Sequence, residues 1–493
     1  MKMKFIAACV AACAAVPAVA APLTGPFDTP DVTVYLSGAS APDNFLAGIA
    51  AGLFNGTQGA QWYGFVDNGA GTAQRAYFGE IKAGTDVPAG LVGKKVMLIK
   101  RSTGGSVFGV NPVARAEALA VLKVFTGTGG CSNTAVPAGF NYKCPVVGVD
   151  PGVGTQTGEE AVPDFGVSDV SPAMFKGPFN VEFGKSELDP SEVANLTVKG
   201  VNTLAMGLAV TNSIPDTTYF SKATYGAALS GLLTQWSQLG AAAPAAGDQI
   251  VVCRRVPGSG TQTSYNWFFN NFPCTTASIA GSGETTPARM ADSASGIVSG
   301  SGTSADPFVI DPTAGFTVIE NSGSGDVANC LSKAAAGGVH TFKDEEGKSY
   351  SVNFGTGGYG AIGVLSVDSL AKSGNAANKW SYRAIDGAGM YYDSDTGSAI
   401  VPASTGTGVH PTKANLIDGK YEFASELTMQ YRNDLTGLKK DFADLFIARA
   451  GAPAYNTNAW VAALPIAYDP TTTANVAKAT RNGNMCAPLQ RTY

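Results

Sequence analysis

Charge is scarce in this 493-residue chain. Asp, Glu, Lys and Arg together make up 14% of it, against roughly a quarter in an ordinary globular protein, and the formal net charge is −5. A nucleic-acid binder of this size should carry a basic excess, because its affinity comes from many Lys and Arg contacts to phosphates; that class is disfavoured. Histidine is scarcer still, with only His340 and His410, and no Cys-x-x-Cys pair occurs. A zinc site therefore has no ligand set, and neither a metal nor another cofactor is expected. Beyond the first twenty residues no apolar run approaches the ~20 that a membrane helix requires. No lysine follows a Gly-rich turn in the manner of a nucleotide-binding loop, and neither Ser106 nor Ser259 sits in Gly-x-Ser-x-Gly, the turn that exposes a nucleophilic serine. Asp344-Glu345-Glu346 reads as a solvated charge run. An enzyme is not expected, and with no fixed-period repeat neither is a solenoid.

What is plentiful is apolar and small: 45% hydrophobic residues, 61 Gly and 27 Pro. The length allows two or three units with substantial cores. Lys2 and Lys4, an apolar run over 5–16 and Ala18-Val19-Ala20 form a secretory signal peptide over 1–20. The mature chain is therefore expected in the periplasm or outside the cell. Six cysteines follow the leader: Cys131, Cys144, Cys253, Cys274, Cys330 and Cys486. An even count in an exported chain favours disulfides, and Cys131 with Cys144 is the first pair expected, since they flank a short Gly/Pro/Asn loop.

Residues 32–36 are a β-branched run leading through Ser37-Gly38-Ala39-Ser40-Ala41-Pro42 into helical apolar spacing over 43–54, with Ser40 placed to cap and Pro42 near the first helical position. Strand 95–100 runs into Arg101-Ser102-Thr103-Gly104-Gly105-Ser106, and 114–125 has helical spacing. Further strands are expected at 204–210, 250–253 and 359–364, helices at 262–271 and 368–372, and late elements at 422–431 and 435–448. Strands alternating with helices imply parallel α/β layers. The aromatic run Tyr265-Asn266-Trp267-Phe268-Phe269 is spaced for a core helix. The Gly/Ser/Thr-dense stretch 275–306 reads as a surface insertion, with similar thinning over 147–162 and 374–407.

Three turns are candidates to carry chemistry: Gly38-Ala39-Ser40, Ser102-Thr103-Gly104-Gly105 and Gly258-Ser259-Gly260-Thr261. Where a strand ends in such a turn and a helix begins, backbone amides converge, hydroxyls add donors and the helix dipole favours negative charge. Each alone is also an ordinary connection or helix cap. Arg255 strengthens the third, because its rigid fork can hold two anion oxygens. Asp164-Phe165-Gly166-Val167-Ser168-Asp169-Val170-Ser171-Pro172 adds a carboxylate among small and apolar residues. A carboxylate repels an anion unless a proton lies between them. Asp169 would thus accept a hydrogen bond from a protonated oxyanion such as hydrogen phosphate and reject fully ionised sulfate; its alternative is to cap the turn from Ser171 onward.

These four segments, in this order, resemble the phosphate-binding, substrate-capturing proteins of ABC importers, members of the type II periplasmic binding protein superfamily. Gly360-Ala361-Ile362-Gly363-Val364 adds a fifth match. The resemblance implies an α/β fold of two lobes joined by a hinge with the ligand in the interlobe cleft. One lobe would comprise 21–200 and 391–493, the other 201–390 with the insertion near 275–306. It implies that Ser40, the Ala41 amide, Ser102, Asp169, Arg255, Ser259, Gly260 and Thr261 surround phosphate or a related protonated oxyanion, which a monomer delivers to an ABC permease. The chain departs from the family at Pro257, where an Asp orients the arginine, and in the long spacing between the first two turns, for which Asp67-Asn68-Gly69-Ala70-Gly71-Thr72 is an alternative occupant of the second position. The alternative function is an exported surface or matrix protein that keeps the fold and uses its insertions for adhesion or assembly.

Overall fold

The computed structural model describes residues 23–69, 73–182, 185–274, 286–344, 346–367, 380–391, 407–466, 468–469 and 471–492. The leader, the expected helix at 368–372 and much of the two later insertions lie outside the described residues.

One mixed sheet of thirteen strands organises the chain: β1 (Val32–Gly38), β2 (Trp62–Asp67), β3 (Gln74–Glu80), β4 (Lys95–Arg101), β5 (Tyr142–Cys144), β6 (Phe165–Ser168), β7 (Leu196–Thr211), β8 (Val251–Arg255), β9 (Thr317–Asn321), β10 (Ala361–Ser366), β11 (Trp380–Arg383), β12 (Ala424–Arg432) and β13 (Val461–Ala463). Its order is β9-β8-β10-β7-β12-β6-β1-β4-β3-β2-β5, with β11 and β13 both paired to β7. The α-helices among the described residues are α1 (Asp43–Leu53), α2 (Asn111–Arg115), α3 (Pro190–Ala194), α4 (Lys222–Leu229), α5 (Gly260–Asn270), α6 (Ser324–Ala336), α7 (Lys413–Ile417) and α8 (Gly437–Gly451).

The sixteen-residue β7 belongs to both halves of this sheet. Its residues 196–205 pair with β12, which also flanks β6, and its residues 206–210 pair with β10. In each half, parallel strands end side by side: β4 and β6 flank β1, and β9 and β10 flank β8. Parallel strands need crossovers, and the turns at their carboxyl ends are where open α/β sheets place ligands. The faces are covered by one large apolar cluster running through α1, α5, α6 and α8, while Phe65, Phe78, Met97, Ile99 and Cys144 form a smaller one on the far side of β2–β4. The aromatic run lies within α5, where Tyr265, Trp267 and Phe268 are buried.

Disulfides join Cys131 to Cys144, Cys253 to Cys330 and Cys274 to Cys486. The expected helix over 114–125 does not form. α2 stops at Arg115 because Ala116 turns left-handed (φ 54°), and Val121-Leu122 pairs with Val146-Val147 instead. The side chain of Gln74 holds that segment extended, donating to the Ala120 carbonyl (3.3 Å) and accepting from the Leu122 amide (2.7 Å). Nor is Ser40 the cap of α1: that position is Pro42, with no side-chain cap.

Candidate functional site

The end of β1 is built by close backbone approach. Gly38 has φ +119°, and a Cβ there would lie 2.0 Å from the Val167 carbonyl oxygen. A Cβ on Gly166 would lie 1.8 Å from the Gly109 oxygen. Only glycine fits, which accounts for Gly166 within β6. Asp164 anchors that segment by accepting from the Tyr35 amide (2.9 Å) and from Lys439 Nζ (2.9 Å). With Gly38 in register with Val167, Asp169 emerges beside the end of β1, 2% exposed.

β4 ends alongside, Ser37 in register with Arg101. Here Gly104 and Gly105 both take positive φ, and the chain passes through a short 3-10 turn, Ser106–Gly109. The Ser102 hydroxyl is engaged on both sides, donating to the Asp43 carboxylate (2.9 and 3.0 Å) and accepting from Lys100 Nζ (2.7 Å). Ser106 Oγ accepts from the Asp169 amide (3.3 Å). In the alternative segment, the Asp67 carboxylate is taken up by the Gly69 and Gln74 amides, and 70–72 lie outside the described residues.

From the other half, β8 delivers Arg255, and Ser259 caps α5 by accepting from the Gln262 amide (3.4 Å). Arg255 is 2% exposed. Its Nη1 donates to Ser324 Oγ (2.9 Å) and its Nη2 to the Ser322 carbonyl (2.7 Å), while Nε has no hydrogen-bond partner among the described residues. Burial lowers the guanidinium to about 10, opposed by the charges of Asp326 and Asp169, so it stays charged at neutral pH. The turn Ser322-Gly323-Ser324 between β9 and α6 thus orients Arg255 in the absence of an acid at position 257. Sequence reasoning missed this turn, although a β-branched strand, a Ser/Gly turn and Asp326 in the first helical turn are the same signal that marked the other three.

The two sides touch. A Cβ on Gly260 would lie 2.2 Å from Ser106 Oγ and 2.8 Å from Asp169 Cβ, and one on Gly105 would lie 3.4 Å from Arg255 Nη2. The Val107 amide donates to the Gly258 carbonyl (3.0 Å), and Ser40 Oγ lies 3.4 Å from Ser324 Oγ. Of the residues expected from sequence, Ser40, Asp169, Arg255, Ser259 and Gly260 are brought together by these contacts. Ala41 follows Ser40, buried at the start of α1, and Thr261 is buried in the first turn of α5. Ser102 stands behind, with Lys100 and Asp43. The set is rich in hydroxyl and guanidinium donors and holds one carboxylate acceptor, a composition suited to an oxyanion carrying a proton.

His340 is buried, Nδ1 bonded to Asn329 Nδ2 (3.2 Å) and Nε2 to Asn321 Oδ1 (2.8 Å). No group of three or more His, Cys, Asp or Glu able to hold a metal occurs among the described residues, and among them no helix is long and apolar enough to cross a membrane.

A family model described as a PBP superfamily domain matches residues 185–450, and the chain belongs to that superfamily. Among solved structures it is similar to a putative phosphate ABC transporter substrate-binding protein with bound phosphate from Clostridium perfringens, at 13% identity, 84% of this chain, 92% of that one and TM-score 0.39. It is similar also to the high-affinity periplasmic phosphate-binding protein PfluDING (13%, 92% and 98%, TM-score 0.37). A third, PstS from Borrelia burgdorferi, gives 12%, 84% and 91%, and TM-score 0.33. None of the curated proteins matches.

Proposed function

We propose that this chain is an exported solute-binding protein that captures phosphate, or a related tetrahedral oxyanion carrying a proton, for delivery to an ABC permease. The observation that carries the reading is the meeting of buried Arg255, buried Asp169 and the first turn of α5 at one place, where the two halves of the sheet touch. Arg255, Ser259, Gly260 and Thr261 would bind the anion from one side, and Ser40, the Ala41 amide and Asp169 from the other. We add Ser106 and Ser324 to the set and assign Ser102 to bracing it, since its hydroxyl is already engaged by Asp43 and Lys100. The division into 21–200 with 391–493 and 201–390 is supported by the change of partners along β7, from β12 to β10.

Each hydrogen bond to a charged oxygen contributes on the order of 1.5 to 3 kcal/mol, and closure that excludes water strengthens all of them. Asp169 supplies selectivity: it accepts the proton of hydrogen phosphate, whereas sulfate would leave two negative charges facing each other. Three disulfides support an oxidising compartment. Native mass spectrometry of the protein purified without added phosphate tests the reading. A retained adduct with the mass of phosphoric acid is expected, and an adduct of another class, such as a sugar or a peptide, would overturn it.

A further inference from the structure

Lys100 is a buried lysine where an apolar residue would be the ordinary choice, its side chain 4% exposed. Its ammonium donates to the carbonyls of Gly38 (3.1 Å), Ala39 (3.0 Å) and Arg101 (3.2 Å) and to Ser102 Oγ (2.7 Å), with Asp43 Oδ1 at 3.4 Å. These acceptors outnumber its three N–H groups, and two of them are the carbonyls of Gly38, which ends β1, and of Ala39, which precedes Ser40. In a planar trans peptide the N–H points opposite to the C=O that shares its plane. Fixing the Ala39 carbonyl on Lys100 therefore turns the Ser40 amide away from the lysine, just as the Ala39 amide is fixed on the Val167 carbonyl (2.9 Å).

We propose that Lys100 is a positioning residue of the anion site: it clamps the Gly38 and Ala39 carbonyls so that the Ser40–Ala41 segment faces the ligand, and it sets a positive charge behind that segment. The inference rests on the anion-binding reading above. The charged and titratable groups facing Lys100 are Asp43 from α1, Arg75 from β3 and Asp169 after β6, with Tyr77 and Asp67 beyond Arg75. Burial, reinforced by Arg75 and opposed by Asp43 and Asp169, brings the ammonium down to about 8. A bound anion holds the proton on, so affinity falls as pH rises through that value.

Titration calorimetry with inorganic phosphate on the full mature protein tests this at pH 8 and pH 9, where the ligand stays largely monohydrogen phosphate. Wild-type affinity is expected to fall about fivefold between the two. Lys100→Met should bind roughly tenfold or more weakly at pH 8 and show no such fall, the loss of one charge-assisted contact set being worth that much. Lys100→Arg, which keeps its charge at both values, should recover part of the affinity and also stay level. Thermal melts establish that each variant is folded; if Lys100→Met is not, the wild type and Lys100→Arg carry the comparison. A level wild-type profile, or variants with wild-type affinity and wild-type pH dependence, overturns the role of Lys100 and leaves the anion reading standing. A folded wild type that takes no phosphate overturns the reading itself, and the inference with it.

Discussion

The hydroxyl oxygens of Ser40 and Ser324 lie 3.4 Å apart across 284 residues of sequence. Ser324 also receives Arg255 Nη1, so the end of β1, the turn before α6 and the end of β8 form one hydrogen-bonded line. Two donors of Arg255, on separate nitrogens of the planar guanidinium, go to Ser324 and to the Ser322 carbonyl, a spacing that the single nitrogen of a lysine does not match. Arg255→Lys is expected to weaken phosphate binding roughly ten- to hundredfold and Arg255→Ala at least as much, while Ser324→Ala should cost less, about tenfold or under. Calorimetry on the three variants checks the ranking; a lysine variant with wild-type affinity contradicts it.

Gly260 marks where the two sides close. An alanine methyl there would meet Ser106 Oγ at 2.2 Å and Asp169 Cβ at 2.8 Å, so Gly260→Ala should prop the site open and reduce phosphate affinity at least tenfold, by loss of about one charged hydrogen bond. Ser106→Gly in the same chain removes the nearer clash and should recover part of that loss. The double-mutant cycle reads the coupling directly. Additive effects would show that the two residues do not oppose each other.

Much of this was legible in the sequence, and the physics says which parts. The ends of β1, β4, β6 and β8 could be read because a β-branched or apolar run stops at glycines and hydroxyls, and Gly38, Gly166 and Gly260 sit where the backbone or a side chain of another segment leaves no room for a Cβ. The Cys131–Cys144 pair followed from a short loop. What could not be read was decided from afar. Residues 119–122 have helical spacing, yet Gln74, on a strand of the main sheet, takes their backbone groups. Ser102 lies in a promising turn, yet its hydroxyl goes to a carboxylate 59 residues away. Pro257 reads as a loss for Arg255, whereas the compensating Ser322–Ser324 turn lies 67 to 69 residues downstream.

Acid should destabilise the protein before its carboxylates titrate. Burial, with Lys333 nearby, pushes His340 down to about 4, and burial lowers His410 as well. An unfolded histidine takes its proton near pH 6.5. Between there and about pH 4 the unfolded state binds more protons at His340, and stability falls as pH falls, by up to about 1.4 kcal/mol per pH unit for that residue, with His410 acting in the same direction. Asp28 and Glu160, which hydrogen bonds hold at about 2, add their effect only below about pH 4.5, where their unfolded counterparts protonate. Urea unfolding at pH 7, 5.5 and 4.5 should show this slope, and His340→Asn should reduce it. A curve level from pH 7 to 4.5 contradicts the assignment.

Asp169, a carboxylate among donors, should select an anion that carries a proton, and calorimetric titration of the mature protein with phosphate and with sulfate, in chloride buffer at neutral pH, is the sharpest test. Phosphate is expected to bind tightly and sulfate to bind about a hundredfold or more weakly, the cost of one unmatched buried polar contact, and the difference should shrink in Asp169→Asn. Equal affinity for the two anions in the wild type, or a preference left unchanged by Asp169→Asn, would contradict it.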